Sequence, residues 1–152
     1  MSSGADVPNL MAKRHPGYAL KRAQHALRTS MDRVLRPLDL TSPQYAVLSA
    51  IELDPGISSA ALARAAFVTA QTMQGIVTNL ERAGLLKRSI DPSHGRILRG
   101  ELTKKGAKTL QEAHVHVKKI EALTFGSLSR AELENLTTRL IACAEALELE
   151  KA

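Results

Sequence analysis

The chain has 152 residues, of which 44% are hydrophobic, so it is long enough for one domain with a buried core. Its 21 Lys and Arg residues against 15 Asp and Glu residues give a formal net charge of +6. Such a charge attracts polyanions, but it is equally a solubility feature unless the basic residues cluster. The single cysteine excludes an internal disulfide. No early apolar run is long enough for a membrane span or a signal peptide, and we therefore expect a cytoplasmic protein.

The first part of the chain is predicted to be a flexible arm over residues 1–15, followed by a long helix. This helix is expected from Tyr18 to about Leu38, with Pro37 marking its far end. Apolar residues recur there at helical spacing, at Leu20, Ala23, Leu27, Met31, Val34 and Leu38.

Three shorter helices are predicted next. Thr41 and Gln44 have the spacing of a capping box that opens a second helix, which DPG at positions 54–56 stops. SSAALARAA predicts a third helix capped by Ser58 or Ser59, and VTAQTMQGIVTNLERAG predicts a fourth, capped by Thr69 and ended by Gly84. Two short helices joined by a tight turn are typical of a helix-turn-helix.

The fourth helix is predicted to have two unlike faces. Its apolar side is expected to face inward, with Met73, Ile76, Val77 and Leu80. Its other side carries amides, hydroxyls and a glycine, at Gln71, Gln74, Gly75, Thr78, Asn79 and Arg82. Glutamine and asparagine pair with adenine in the major groove, and threonine contacts a thymine methyl group or a phosphate. A polar surface helix without any partner is the alternative interpretation. Gly75 favours DNA, because a mid-helix glycine costs about 1 kcal/mol and suggests a close approach to the backbone.

A two-stranded ribbon is predicted after this helix. Four apolar residues, Leu86, Ile90, Leu98 and Leu102, are interspersed with four basic ones, Lys87, Arg88, Arg96 and Arg99. Asp91-Pro92 and Gly95 provide the turn. A basic hairpin directly after a recognition helix is the arrangement of a winged helix, whose wing lies along the DNA backbone or enters the minor groove.

Two long helices are predicted to complete the chain. Thr103 is expected to cap the first, and Ser129 with Glu132 forms a capping box for the second. Their apolar stripes are Leu110, Ala113, Val117, Ile120 and Thr124, and Leu133, Leu136, Leu140, Ala144 and Leu147. One short domain cannot bury these two stripes together with the apolar stripe of the first helix. We therefore expect the three helices to pack against a second copy of the chain. Cys143, in the last stripe, is expected to be a small buried residue.

The run from Leu40 to Leu110 resembles the MarR family of bacterial transcriptional regulators. The matching segments are LTSPQYAVL, SSAALA, VTAQTM, LERAGLLKR, DPSHGR and LTKKG. The resemblance implies a mainly α fold, in which residues 16–38 and 103–150 form a helical dimerisation region. Residues 39–102 would form the winged helix-turn-helix. It also implies a homodimeric repressor that binds a pseudo-palindromic operator and is released by a small ligand, such as a phenolic or other aromatic acid.

The resemblance also assigns DNA contacts to particular residues. Base readout falls to Ala70, Gln71, Thr72, Gln74 and Gly75, joined on the exposed face by Thr78. Phosphate contacts are assigned to Thr69 and Lys87, and the minor-groove contact is assigned to Arg96. For His94 at the wing tip two interpretations stay open: a solvated side chain, or a phosphate contact when the ring is protonated near or below pH 6.5. The chain departs from the family at Gly75, where an arginine is frequent, and at Ser93 and His94, where an arginine and an aspartate are usual.

The effector pocket is expected, by the same analogy, between the first, second and fifth helices. Its candidate residues are Tyr18, Lys21, Arg22, His25 and Tyr45. Lys21 or Arg22 would pair with a carboxylate. The alternative is that both are surface charges and that Tyr45 belongs to the core.

Other function classes find little support in the sequence. His114 and His116 are two apart on a helix and therefore point to nearly opposite sides, so no metal site is predicted. No nucleophile, base and orienting group come together and no phosphate-binding glycine loop is present, so we expect neither an enzyme nor a cofactor. The alternative to a DNA-binding regulator is a winged-helix module that binds proteins, with only weak, sequence-insensitive DNA binding.

Overall fold

The structure, a computed structural model, describes residues 14–90 and 98–150. Helix α1 spans Pro16–Leu35 and continues into a 3₁₀ turn over Arg36–Leu38. The ring of His15 caps α1 by accepting a hydrogen bond from the backbone N–H of Gly17 at 3.0 Å. The predicted helix is confirmed, although it begins two residues earlier than expected. Its end tightens into the 3₁₀ turn, because Pro37 cannot donate the backbone hydrogen bond that an α-helix needs.

Helix α2 spans Ser42–Leu53 and begins at the predicted capping box. The Thr41 hydroxyl accepts from the backbone N–H of Gln44 at 3.3 Å, and the Gln44 side chain accepts from the backbone N–H of Thr41 at 3.0 Å. The Asp32 carboxylate of α1 accepts hydrogen bonds from both the backbone N–H and the hydroxyl of Ser42. These bonds fix the start of α2 against α1.

Helices α3, Ser59–Ala65, and α4, Ala70–Arg82, form the predicted helix-turn-helix. The hydroxyl of Ser58 caps α3 and that of Thr69 caps α4, each accepting a backbone hydrogen bond at 3.1 Å. Gly84 follows α4 with a φ of +72°, a conformation that glycine adopts without steric cost.

Strands β1, Leu86–Ile90, and β2, Leu98–Leu102, form an antiparallel pair. Leu86 lies opposite Leu102, and Arg88 lies opposite Gly100. The two strands of the predicted wing are therefore confirmed. Its tip, residues 91–97 with His94 and Arg96, lies outside the described residues.

Helix α5 spans Lys104–Phe125 and α6 spans Arg130–Leu149. The hydroxyl of Thr103 accepts from the backbone N–H of Gly106 at 2.9 Å, which confirms the predicted cap of α5. The capping box of Ser129 and Glu132 at the start of α6 is also present. In the described part of the chain, every helix is too short or too polar to cross a membrane.

The hydrophobic core joins the winged helix-turn-helix to the end of α1 and to α5. Its most completely buried large side chains are Leu35, Val47, Leu48, Ile51, Met73, Leu80 and Leu110. Because Met73 and Leu80 anchor one side of α4 in this core, the opposite side of that helix is held towards solvent.

The chain divides into two compact units, one ending at Val117 and the other beginning at Lys118. The second unit contains the end of α5 and the whole of α6, and no residue of α6 is buried. Cys143 is exposed in the single chain. Its burial stays a prediction that depends on the second copy expected to cover this stripe. An apolar stripe buries its residues only where another surface covers it.

Candidate nucleic-acid interface

The inward face of α4 agrees with the predicted one. Met73 and Leu80 are each 1% exposed, Val77 is 6% exposed, and Ile76 is partly buried against the same core. With four apolar side chains fixing its rotation, α4 presents the same set of polar residues to solvent at all times.

The outward face of α4 carries most of the predicted base-reading residues. Thr78 is half-buried, and the others are exposed, namely Ala70, Gln71, Thr72, Gln74 and Gly75. Glu81 is the helix's one carboxylate, and it lies in the last turn. The first three turns therefore offer amide and hydroxyl groups with no negative charge to repel DNA.

The N-terminus of α4 is suited to an anion. Thr69 caps the helix, and no acidic residue lies in its first turn. The first backbone N–H groups of a helix lack intrahelical acceptors and carry the positive end of its dipole. A phosphate at this point would therefore meet oriented donors, as predicted from Thr69 and its neighbours.

Gly75 leaves an opening in the middle of the exposed face. Apart from its chain neighbours and the adjacent backbone of α4, a Cβ atom built on it would have no heavy atom of the described residues within 4 Å, and the residue's φ is not in the left-handed region. Neither packing nor backbone conformation therefore requires a glycine here. A glycine on an exposed helix face lets another molecule approach the backbone closely.

The basic residues of β1 point in different directions. Lys87 is exposed and is available to a phosphate, as predicted. Arg88 instead turns back onto α4 and forms an ion pair with Glu81 at 2.6 Å. The hydrogen bond from Arg88 lowers the pKa of Glu81, and the same bond raises the pKa of Arg88. Counting Arg88 among the free charges of the wing would therefore be wrong.

The predicted effector residues lie on two helices, α1 and α2. Lys21, Arg22 and His25 are exposed on α1, and Tyr18 is half-buried on the same helix. Tyr45 is half-buried on α2, and its hydroxyl is hydrogen-bonded to Nδ1 of His114 at 2.9 Å.

The contacts of Tyr45 continue into a polar network between α2 and α5. Nε2 of His114 lies 2.9 Å from Oε2 of Glu52, and the side chain of Gln111 donates to Oε1 of Glu52 at 2.9 Å. The rings of Tyr45 and His114 meet edge to face, with centroids 5.6 Å apart. Tyr45 therefore fastens α2 to α5, and a ligand that used its hydroxyl would have to compete with His114.

An apolar groove of about 550 Å³ lies between α1, α2 and the turn of the helix-turn-helix. Its polar lining residues are Gln24, Arg28 and Ser42, and its apolar ones are Leu27, Met31, Pro43, Ala46, Ala65, Ala66, Phe67 and Val68. Among the described residues, Arg28 forms a long ion pair with Asp32, 4.0 Å between Nε and Oδ2. A groove of this size and lining suits a small ligand with one anionic group.

Phe67 is the least expected residue of this groove. It follows α3 with a φ of +54° and is 91% exposed. The backbone N–H groups of Phe67 and Val68 donate to Arg64 and Ala63, which is the Schellman ending that usually has glycine at this position. An L-residue there costs roughly 1–2 kcal/mol. The chain thus holds a large aromatic ring in solvent at a conformational cost.

Comparison with known proteins shows the family of this chain. The model of the MarR family matches residues 38–97. The HTH-type transcriptional repressor Rv2887 of Mycobacterium tuberculosis is 37% identical over 113 residues, which are 74% of this chain and 81% of the repressor. This chain belongs to the MarR family.

Two further similarities agree with membership of the MarR family. The transcriptional regulator HosA of Escherichia coli is 38% identical over 96 residues, 63% of this chain and 71% of HosA. A crystal structure of Rv2887 in complex with salicylic acid aligns with a TM-score of 0.68 and 33% identity, covering 88% of this chain and 99% of that one. The predicted family, the winged helix-turn-helix fold and the class of DNA-binding transcriptional regulator are confirmed.

Sequence reasoning missed two features of this MarR protein, the inward turn of Arg88 and the exposed ring of Phe67. The sequence shows that Gln74 and Glu81, seven residues apart, share one face of α4, but it does not show that Arg88 lies against that face. For Phe67 the local signal is misleading, since glycine or asparagine is expected where the backbone is left-handed.

Proposed function

We propose that this MarR protein is a transcriptional repressor that binds a pseudo-palindromic DNA sequence as a homodimer and is released by a small aromatic acid. The observation that carries the proposal is the exposed face of α4. It combines amide and hydroxyl side chains, no carboxylate in its first three turns, and an unobstructed backbone at Gly75.

The expected contacts divide into base readout and positioning. Gln71, Thr72 and Gln74 project from the first two turns of α4, where a recognition helix meets base edges. Thr69 and Lys87 flank them and would hold phosphates, which fixes the register of the protein on the duplex. Arg96 and His94 of the wing tip remain predicted contacts, in the minor groove and at the backbone respectively.

The homodimer is supported by the apolar surface of α6. Leu140 is 41% exposed and Leu147 is 66% exposed, although both belong to the predicted apolar stripe. A stripe of this kind loses its contact with water when a second copy covers it. A two-fold axis would then place two α4 helices about 34 Å apart, which is one turn of DNA.

The aromatic-acid effector is supported by the groove beside Phe67. The Arg28 guanidinium would pair with a carboxylate, and the Phe67 ring would stack on an aromatic ring. The relative Rv2887 has solved structures with salicylic acid and with p-aminosalicylic acid. The groove ends at the turn before α4, so a ligand there would act directly on the position of the recognition helix.

Two charge variants distinguish the groove beside Arg28 from the effector site predicted at Arg22 on α1. Salicylate is titrated against the protein–DNA complex of the wild type, Arg28→Gln and Arg22→Gln. Release that is lost only in Arg28→Gln favours the groove, and release lost only in Arg22→Gln favours the site predicted on the exposed face of α1. If salicylate releases the DNA equally well from both variants and the wild type, neither position is the effector site.

DNA binding itself is tested by selection from random duplex DNA at physiological salt. The proposal expects an enriched sequence with two-fold symmetry. The alternative, a winged-helix module that contacts proteins, expects no enriched sequence and weak binding. Sedimentation of the free protein tests the dimer, and a monomer at micromolar concentration would count against it.

A further inference from the structure

Arg88 links the wing to the recognition helix. It lies on β1 opposite Gly100 of β2, and its side chain is only 26% exposed. One terminal nitrogen lies 2.6 Å from Oε2 of Glu81, and the other donates to Oε1 of Gln74 at 3.5 Å. A single guanidinium thus contacts two residues that are two helical turns apart on one face of α4.

The two contacts differ in strength. The short pair with Glu81 joins opposite charges, each only about a quarter exposed, and therefore anchors the guanidinium. The contact with Gln74 is at the long end of hydrogen-bond distances and holds the amide more weakly. Glu81 consequently fixes where Arg88 lies, and Arg88 in turn biases the orientation of the Gln74 amide.

The chemistry of the groups decides which way that amide faces. Arginine has only hydrogen-bond donors, so the atom of Gln74 that faces it must be the oxygen. The oxygen keeps a second lone pair but is turned towards Arg88, whereas the amide NH₂ group is left for another partner. Bidentate pairing with adenine needs both the oxygen and the NH₂ of a glutamine, whereas guanine offers the acceptors O6 and N7 to a donor alone.

We propose that Arg88 is a specificity-determining positioning residue, which holds the carbonyl oxygen of Gln74 so that its NH₂ group reads guanine rather than adenine. The inference rests on the proposed DNA-binding function. Arg88 itself contacts no base in this account, because its charge is committed to Glu81. Lys87, its exposed neighbour, serves as the phosphate-binding counterpart.

The test is the base preference of the full-length protein, obtained by selection from random DNA. Arg88→Lys keeps a cation for Glu81 but has one ammonium group in place of the two-armed guanidinium. The preference for guanine over adenine at the Gln74 position should fall by up to about fivefold, since an ordinary hydrogen bond contributes about 1 kcal/mol and this one is long. In a Gln74→Ala background, Arg88→Lys should change nothing at that position. Lys87→Ala is the matched control and should weaken all sequences alike.

The result that would overturn the inference is a wild-type preference for adenine at that position, or an Arg88→Lys effect that persists without Gln74. If the wild-type chain enriches no sequence at all, the proposed function fails and the inference fails with it. A second measurement needs no DNA. The side-chain NH₂ signals of Gln74 in a ¹⁵N–¹H spectrum of the folded protein should shift in Arg88→Lys, and unchanged signals would contradict the contact.

Discussion

Replacing Gly75 with alanine should raise stability and lower DNA affinity at the same time. Alanine is favoured over glycine inside a helix by about 1 kcal/mol. Beyond the adjacent backbone of α4, the added methyl group would meet no heavy atom of the described residues within 4 Å, so no clash with them subtracts from this gain. For a chain of this length, a gain of 1 kcal/mol corresponds to a rise of about 2–4 °C in the melting temperature.

The loss of affinity would come from the molecule that approaches the helix. If a base or a phosphate lies against the backbone at Gly75, the methyl group displaces it, and we expect affinity to fall about tenfold, or about 1.4 kcal/mol. Thermal unfolding and titration of the selected DNA measure the two effects separately. A variant that is more stable but binds DNA as well as the wild type would refute the reasoning.

Gly106 provides the matched control for the stability measurement. A Cβ atom built there would lie 1.9 Å from the carbonyl oxygen of Leu85, which is an impossible separation. Gly106→Ala should therefore lower the melting temperature, whereas Gly75→Ala raises it. A fall in both variants would mean that the outward face of α4 is not open as described.

Three further predictions concern the wing, the acid stability and the groove. Arg96→Ala should weaken binding to many sequences and flatten its salt dependence, because a groove-bound cation is removed; an unchanged salt slope counts against the wing contact. Hydrogen bonds from Ser42, first from its hydroxyl, lower the pKa of Asp32. The stability that they supply is present at neutral pH and is lost as the pH falls through the pKa of Asp32 in the folded protein. In Asp32→Asn, the free energy of unfolding measured in urea should therefore change less with pH in the acid range than in the wild type. The same pH dependence in both proteins would contradict this. Phe67→Gly should raise the free energy of unfolding by up to about 1 kcal/mol while weakening salicylate binding, and a loss of stability would show that the ring supports the fold.

The structural features that depend on residues close together in the chain could be predicted from the sequence. The caps at Thr41, Thr69 and Ser129 satisfy donors within the next three residues, so their signals lie in short segments. The inward face of α4 followed from the spacing of its apolar residues, because burial fixes the rotation of a helix.

The features that sequence did not predict depend on contacts between distant residues. Arg88 and Gln74 are 14 residues apart in the chain, and His114 and Tyr45 are 69 apart. No local pattern distinguishes a cation that faces DNA from one that faces a glutamate on the neighbouring helix. For Cys143, helical spacing identifies the apolar face of α6 but not the surface that covers it.

The measurement that tests base reading by α4 most directly is the effect of Gln71→Ala on binding to the selected sequence and to its single-base variants. We predict a loss of discrimination of about 1–3 kcal/mol, confined to the base pairs that Gln71 contacts, with the other positions unchanged. An equal loss on every sequence would make Gln71 a backbone contact and would contradict the assignment of α4 to the major groove.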